Sequence, residues 1–319
     1  MVTMKAVAVR AFRGVPELMD LPRPTPKRGE VLVRMSAAGV NPFDRKLVDG
    51  MLEGQEPHVF PLILGADGAG TVDKLGEGAH RFLVGDQIYG QFFHSPVGTG
   101  TYAEYCAVPE GIGVGRIPPS IDAIHAAAAP TAGMTALVLL EGLGLSKGQT
   151  LLIVGATGGV GSFATEIAAR RGIHVIATAS EESKAFVESL GASEVIDYRK
   201  LSVPKTVLQN HPDGVDGLLD SASNAEGFAE NARAVRRGGS AVTSVGAADP
   251  PSLQGKGIRA ANLGLESSTS ILERLSRAIE KERIRVPVET IVPLAEAPEA
   301  FARLRQGGAR GKTVIRISE

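Results

Sequence analysis

The chain has 319 residues, 43% of them hydrophobic and 22% charged, which is the length of about two domains and the composition of a soluble globular protein. A formal net charge of −1 without a run of one sign, and 4% aromatic residues with no tryptophan, argue against nucleic acid or an anionic membrane as the main partner. The single cysteine, Cys106, excludes an internal disulfide and any cysteine-built zinc or iron–sulfur cluster.

No apolar run reaches the ~18 residues of a membrane span. The first residues, Met1 to Val7, carry no signal-peptide pattern. A cytoplasmic protein in a reducing compartment is therefore expected.

The first third reads as short strands punctuated by Gly and Pro. Val7–Val9, Val31–Met35, Gly68–Val72 and Gln87–Gly90 are strand candidates, and Thr101 to Val108 alternates like a half-buried strand. Many short strands with few helices suggest a barrel-like β unit. From about Ile121 the texture changes. The Ala-rich stretch Asp122 to Gly142 reads as helix interrupted near Pro130. Strands at 150–154, 174–178, 194–196, 217–220 and 239–244 then alternate with helices at 160–171 and 181–190, which means βαβ units and a parallel sheet. Ser270 to Arg283 is helical, Glu289 to Val292 and Lys312 to Ile317 are strands, and Glu296 to Gln306 is a helix between them.

The strongest local signal follows the strand Leu151 to Val154. It is the turn Gly155-Ala156-Thr157-Gly158-Gly159-Val160-Gly161, which opens a helix. Glycines there allow a sharp reversal and the close approach of a diphosphate, and the helix start offers unpaired N–H groups. The position between strand and helix, inside a βαβ unit, is the context that makes the motif meaningful. Sites preferring NAD place an acid at the end of the second strand. Here that strand ends in Thr178-Ala179-Ser180, with Glu181 and Glu182 only afterwards. Ser180 leaves room for a 2′-phosphate, Lys184 is a candidate countercharge, and Tyr198-Arg199 can close the same pocket. These residues favour NADPH. Glu181 argues the other way, and Lys184 as a solvated helix lysine is the plainer alternative.

The order of parts resembles the medium-chain dehydrogenase/reductase superfamily, within it the quinone oxidoreductase (zeta-crystallin-like) branch. The resemblance spans essentially the whole chain. It rests on Ala38 to Asp44, Leu64 to Gly70, Val84-Gly85-Asp86, Gly100 to Tyr105, the glycine turn, Leu190-Gly191-Ala192 and Gly311 to Val314. It implies an α/β fold, a Rossmann-type doubly wound parallel sheet plus a GroES-like β-barrel catalytic domain. The catalytic domain would span 1–122 and be completed by 268–319, and the dinucleotide-binding domain would span 123–267.

Zinc-dependent relatives carry a Cys where this chain has Asn41, Gly-His-Glu where it has Gly65-Ala66-Asp67, and a Cys or Asp near Thr131. No metal ligands are therefore expected at that centre. Without such a Lewis acid, alcohol oxidation is disfavoured and reduction of an electron-poor acceptor favoured. The resemblance places Asn41 near the nicotinamide, Thr131 at the domain junction, and Val245-Gly246 along the nicotinamide pocket. It implies a quinone or α,β-unsaturated carbonyl as small-molecule substrate, and a homodimer.

The catalytic candidates are Asn41, Asp44 and Tyr102. The plainer alternatives are that Asp44 caps a helix beginning near Phe43 and that Tyr102 packs in a strand at the cleft rim. Lys46 reads as solvated and Asp67 as a hydrogen-bonding residue of its turn. Cys106 lacks a group that would lower its pKa. The six histidines show no metal-ligand spacing, and His94 alone lies near the expected cleft. Two other functions fit the same motifs: a dedicated enoyl reductase of a biosynthetic pathway, and an NADPH-binding protein with a structural or regulatory role.

Overall fold

The computed structural model describes residues 2–304 and 310–318. Apolar runs in the middle of the chain form a six-stranded, wholly parallel sheet. Its spatial order is Glu194–Ile196, His174–Thr178, Thr150–Val154, Val215–Asp220, Val235–Thr243 and Arg259–Asn262. Numbered by sequence, this is 3-2-1-4-5-6, in which the chain reverses direction across the sheet after the third strand and leaves a crevice at the carboxyl ends. Successive residues feed two separate cores. Leu151, Ile153, Val175 and Ala177 pack on one face, and Leu152, Ile176, Leu218 and Ala241 on the other. Burial on both faces explains why these strands read as continuous hydrophobic runs, each large side chain contributing roughly 1.5–3 kcal/mol.

The remaining strands build a second unit from two curved sheets. One is seven-stranded and runs Val288–Pro293, Lys312–Arg316, Glu30–Gly39, Asp67–Leu75, Gln87–Gln91 and Val114–Arg116, with Tyr105–Pro109 paired to Glu30–Gly39. The other runs Glu17–Pro22, Thr3–Val9, His58–Ile63 and Val97–Thr99. The last described strand, Lys312–Arg316, returns to the first third by pairing antiparallel with Glu30–Gly39, Val314 opposite Gly39.

Some elements differ in detail from the sequence reading. Thr101 to Val108 is not one strand. Tyr102 donates its N–H to Leu64 and accepts from Val7, and only Tyr105–Pro109 pairs with Glu30–Gly39, so the segment crosses between the two sheets. The Ala-rich helix is interrupted where expected, into Ala123–Ala128 and Pro130–Leu143, since Pro130 brings no N–H. The helix expected from Glu181 opens as a 3-10 turn, Glu181–Ser183, and is α-helical only over Lys184–Ser189. The sixth parallel strand, Arg259–Asn262, is short and half-polar, too weak a pattern to read from sequence. The helix expected to reach Gln306 covers Ala297–Arg303, and Gln306 itself lies outside the described residues.

The two units share apolar contacts. Ala37 and Ala69 of the barrel lie in one core with Ala126 to Ala129 and the sheet residues Leu151 and Ile153.

The turn after Thr150–Val154 depends on one close approach. A Cβ on Gly161 would stand 2.1 Å from the Gly155 carbonyl oxygen, and Gly155 has φ +82°. Gly161→Ala should therefore force the turn open. It should cost about 1–3 kcal/mol in urea unfolding and weaken dinucleotide binding in the same preparation. Unchanged stability and affinity would show that the turn is not closed in this way.

Candidate active site

The site begins at Asn41. Asn41 is the N-cap of the helix Pro42–Val48, and its own N–H donates back to Asp44 Oδ2 at 2.8 Å, so a capping box fixes both residues. Asp44 Oδ1 accepts from the Ala66 N–H at 3.0 Å, and Oδ2 also accepts from the Tyr102 hydroxyl at 2.8 Å. Asn41 turns its side-chain N–H to Asp67 Oδ2 at 2.9 Å. Asp67 in turn accepts from the Thr131 N–H at 3.0 Å and the Thr131 hydroxyl at 2.6 Å, and Thr131 accepts from Gln91 at 2.8 Å. The side-chain oxygen of Asn41 accepts from the Lys312 ammonium, which also donates to the Val40 carbonyl at 2.8 Å.

Two acids and one base are thus buried together. Asp67 is wholly inaccessible, and Asp44 and Lys312 are 1% and 4% exposed. Burial penalises every charge here, and the neighbours decide how much survives. Burial pushes the Asp44 carboxyl from its ordinary 3.8 up to about 7, against hydrogen bonds from Asn41 and Tyr102 and the pull of Lys312. Burial also pushes Asp67 up, opposed by Lys312, Thr131 and Asn41. It pushes Lys312 below its ordinary range, while the two carboxylates resist. An acid poised near neutral pH beside a cavity has the properties of a proton-transfer group. Asp44 borders such a cavity, walled by Leu47, Leu64, Phe92, Phe93 and His94.

The catalytic candidates Asn41, Asp44 and Tyr102 therefore form one connected set. Tyr102 differs from expectation, for it is fully buried rather than at the rim and reaches the cavity only through Asp44. Asp44 is the third residue of its helix rather than the cap, which is Asn41. Asp67 links Asn41 to Thr131 and is more than a turn residue. Lys46 is exposed on its helix. The ring nitrogens of His94 engage the carbonyls of Ala107 and Ser95 and the Thr99 hydroxyl. Cys106 is buried, and burial pushes its thiol up to about 12. Lys312 escaped notice as a site residue. A lysine opening a strand whose centre is Val314-Ile315 was the available signal.

The expected dinucleotide residues line the carboxyl edge of the parallel sheet. Gly158 caps the helix Gly159–Arg170 with no side chain of its own to satisfy the first-turn N–H groups, and Thr157, Gly158, Gly159 and Val160 are partly exposed. That uncapped start fits a diphosphate. Gly155 receives support from Thr178, whose hydroxyl accepts its N–H at 3.3 Å. Thr157 accepts from the Gly311 N–H at 2.7 Å, and the Lys312 stem lies 2.9 Å from where a Gly159 Cβ would be. The glycine turn and the buried ammonium are neighbours.

Beyond the second strand Ser180 is buried, whereas Lys184 and Tyr198 are half-exposed. Glu181 is paired with Lys200 at 3.2 Å and Glu182 with Arg199 at 3.4 Å, so cations already face both acids. Val245 and Gly246 follow the fifth strand, with Val245 43% exposed and Gly246 at φ +75°.

The positions that hold zinc in zinc-dependent relatives do converge. Asn41 and Thr131 meet on Asp67, and the Ala66 N–H meets Asp44, so the donors there are an amide, a hydroxyl and carboxylates already hydrogen-bonded. Elsewhere the fold brings His174, Glu194 and His211 together, a grouping that spacing along the chain had concealed.

A parallel sheet with an uncapped glycine turn, set against a barrel that supplies a buried acid–amide–ammonium cluster, is the build of a nicotinamide-dependent oxidoreductase. The comparisons agree. Residues 27–119 match the alcohol dehydrogenase GroES-like domain and residues 190–315 the zinc-binding dehydrogenase domain. The chloroplast envelope quinone oxidoreductase homolog of Arabidopsis thaliana is 31% identical over 315 residues, covering 94% of this chain and 93% of that protein. The NADPH-dependent alkenal/one oxidoreductase of the same plant is 31% identical over 98% of this chain and 79% of its own. The solved quinone oxidoreductase of Coxiella burnetii superposes with a TM-score of 0.87 at 27% identity, covering 99% of this chain and 100% of that one. The chain belongs to the quinone oxidoreductase branch of the medium-chain dehydrogenase/reductase superfamily.

The raised Asp44 carboxyl has a signed effect on stability. Between about pH 4 and about pH 7 the folded chain holds a proton that the unfolded chain has released, so stability falls as pH rises through that window. Urea unfolding across it should show this slope, and Asp44→Asn should reduce it to the part that the raised Asp67 contributes, apart from a constant loss from the altered hydrogen bonds. An identical slope in the variant would assign the titration to another group.

Proposed function

We propose that this protein uses NADPH to reduce a quinone or an α,β-unsaturated carbonyl, without zinc. The observation that carries the reading is the convergence of Asn41, Asp67 and Thr131 with Lys312, where a buried ammonium and amide stand in place of a set of nitrogen and sulfur ligands. Gly155 to Gly161 would hold the diphosphate at the helix start, with Val245 and Gly246 along the nicotinamide. When bound, the nicotinamide supplies hydride chemistry. Asn41 is kept in one orientation at the junction, its amide nitrogen held by Asp67, its amide oxygen by Lys312 and its backbone N–H by Asp44. Asp44 holds a proton beside the cavity, backed by Tyr102. Leu47, Leu64 and Phe93 give that cavity apolar walls, the lining a conjugated acceptor would pack against.

For the cofactor, Ser180 would leave room for a 2′-phosphate, and Lys184 (now 3.9 Å from Glu188), Arg199 and Lys200 are the cations we assign to it, with Glu181 and Glu182 already paired. The name of the Arabidopsis alkenal/one oxidoreductase points the same way. A homodimer is the assembly we favour, since Arg259–Asn262 stands at one end of the parallel sheet.

Stopped-flow loss of NADPH absorbance with benzoquinone, a naphthoquinone and a panel of enals should show turnover that is faster with NADPH than with NADH and unchanged by chelators. No turnover with any acceptor refutes the reading, and activity abolished by chelation refutes its zinc-free part. Lys184→Ala should raise the Kd for NADPH about tenfold, the lower end for a charge-assisted contact at an exposed site, and leave that for NADH nearly unchanged. Equal effects on the two would place the 2′-phosphate elsewhere.

A further inference from the structure

His174 opens the strand His174–Thr178, Glu194 opens Glu194–Ile196, and His211 directly follows the helix Val203–Asn210. The two strands are parallel neighbours, Ile176 opposite Glu194, so their first residues lie at the amino edge of the sheet. The glycine turn leaves the opposite edge. Both imidazoles bring Nε2 to the same carboxylate oxygen of Glu194, at 2.7 Å for His174 and 2.8 Å for His211. The three ligand atoms all lie within 4.8 Å of one another. Asn210 donates to the other Glu194 oxygen at 3.3 Å and steadies the carboxylate from outside. The rings stand 5.8 Å apart and tilted by 56°, so they do not stack, and both Nε2 atoms point at one oxygen.

Two imidazole nitrogens and one carboxylate oxygen form a borderline ligand set that suits zinc and its neighbours in the first transition row. Bonds of about 2.0–2.2 Å in a tetrahedron separate ligands by about 3.3 Å, so each N···O contact need open by only about half an ångström. The side chains are 40%, 29% and 25% exposed, which leaves the fourth position to a water from solvent. Each ligand comes from a different element, and two of the three backbones are fixed by the strand ladder. Little conformational freedom would be lost on binding.

We propose that His174, Glu194 and His211 form a divalent transition-metal site, with zinc its best-matched ion, at the pole of the nucleotide-binding unit opposite the dinucleotide crevice. The ion displaces the two Nε2 protons now shared with Glu194 and ties the end of the helix Val203–Asn210 to the starts of two strands. Its effect is structural, because no residue of the reduction chemistry lies at that edge.

The test uses the full-length protein, stripped with chelator and titrated with Zn²⁺ in competition with a chromophoric chelator, and with Co²⁺ read by its d–d absorption. One ion per chain with a tetrahedral Co²⁺ spectrum is expected. His174→Ala and His211→Ala should each weaken binding at least about 100-fold, beyond the tenfold to 100-fold typical of losing a supporting residue. Zn²⁺ should also protect His174 and His211 of the unaltered chain from diethyl pyrocarbonate, read by peptide mass spectrometry, which keeps the test intact if a variant fails to fold. NADPH oxidation by both variants should stay at the level of the unaltered chain. Stoichiometric binding that survives both substitutions, absence of stoichiometric binding, or lack of protection overturns the proposal.

Discussion

The site hangs on a buried ammonium. Lys312 is the countercharge to two buried carboxylates, and it meets them through Asn41 rather than by direct pairing. Removing one partner of such a group leaves an uncompensated charge, which is far costlier than losing a surface ion pair. The same lysine lays its stem on Gly159, so the geometry that neutralises the acids also fixes the floor of the glycine turn. Charge balance and the packing under the glycine turn are set by one side chain.

This arrangement explains the division of labour between the units. The parallel sheet is held by apolar burial on both faces and offers only backbone groups and small side chains at its crevice. The barrel supplies polar chemistry through a short helix whose capping box locks Asn41 to Asp44. Thr131, the second residue of the helix Pro130–Leu143, reaches back to Asp67, so the junction is bridged by hydrogen bonds as well as by the alanine-rich core.

Much of this was legible in the sequence. The alternation of buried strands with helices announced the parallel sheet, and the glycine turn announced its crevice, because both patterns are local. Asn41, Asp44 and Tyr102 were found as separate candidates, and nothing in the chain shows that one carboxylate joins all three. Lys312 was harder, since its partners lie at the other end of the molecule and its own neighbours read as an ordinary strand. The Thr101 to Val108 segment misled for a related reason. Alternation identifies a residue's face but not the strand it pairs with, and here the pairing changes sheets midway. The triad of His174, Glu194 and His211 is likewise the product of parallel strand order and invisible to spacing.

The contact between Lys312 and Asn41 spans 271 residues. It closes one of the longest loops the chain can make, and contacts of that separation tend to form late in folding. During synthesis the barrel strands, the capped helix and the whole parallel sheet leave the ribosome before this strand does. Until it docks, Asp44 and Asp67 lack their cation and the glycine turn lacks its floor. The cluster of Asn41, Asp44 and Asp67 is thus a checkpoint on completed assembly, closed only when the strand Lys312–Arg316 has docked.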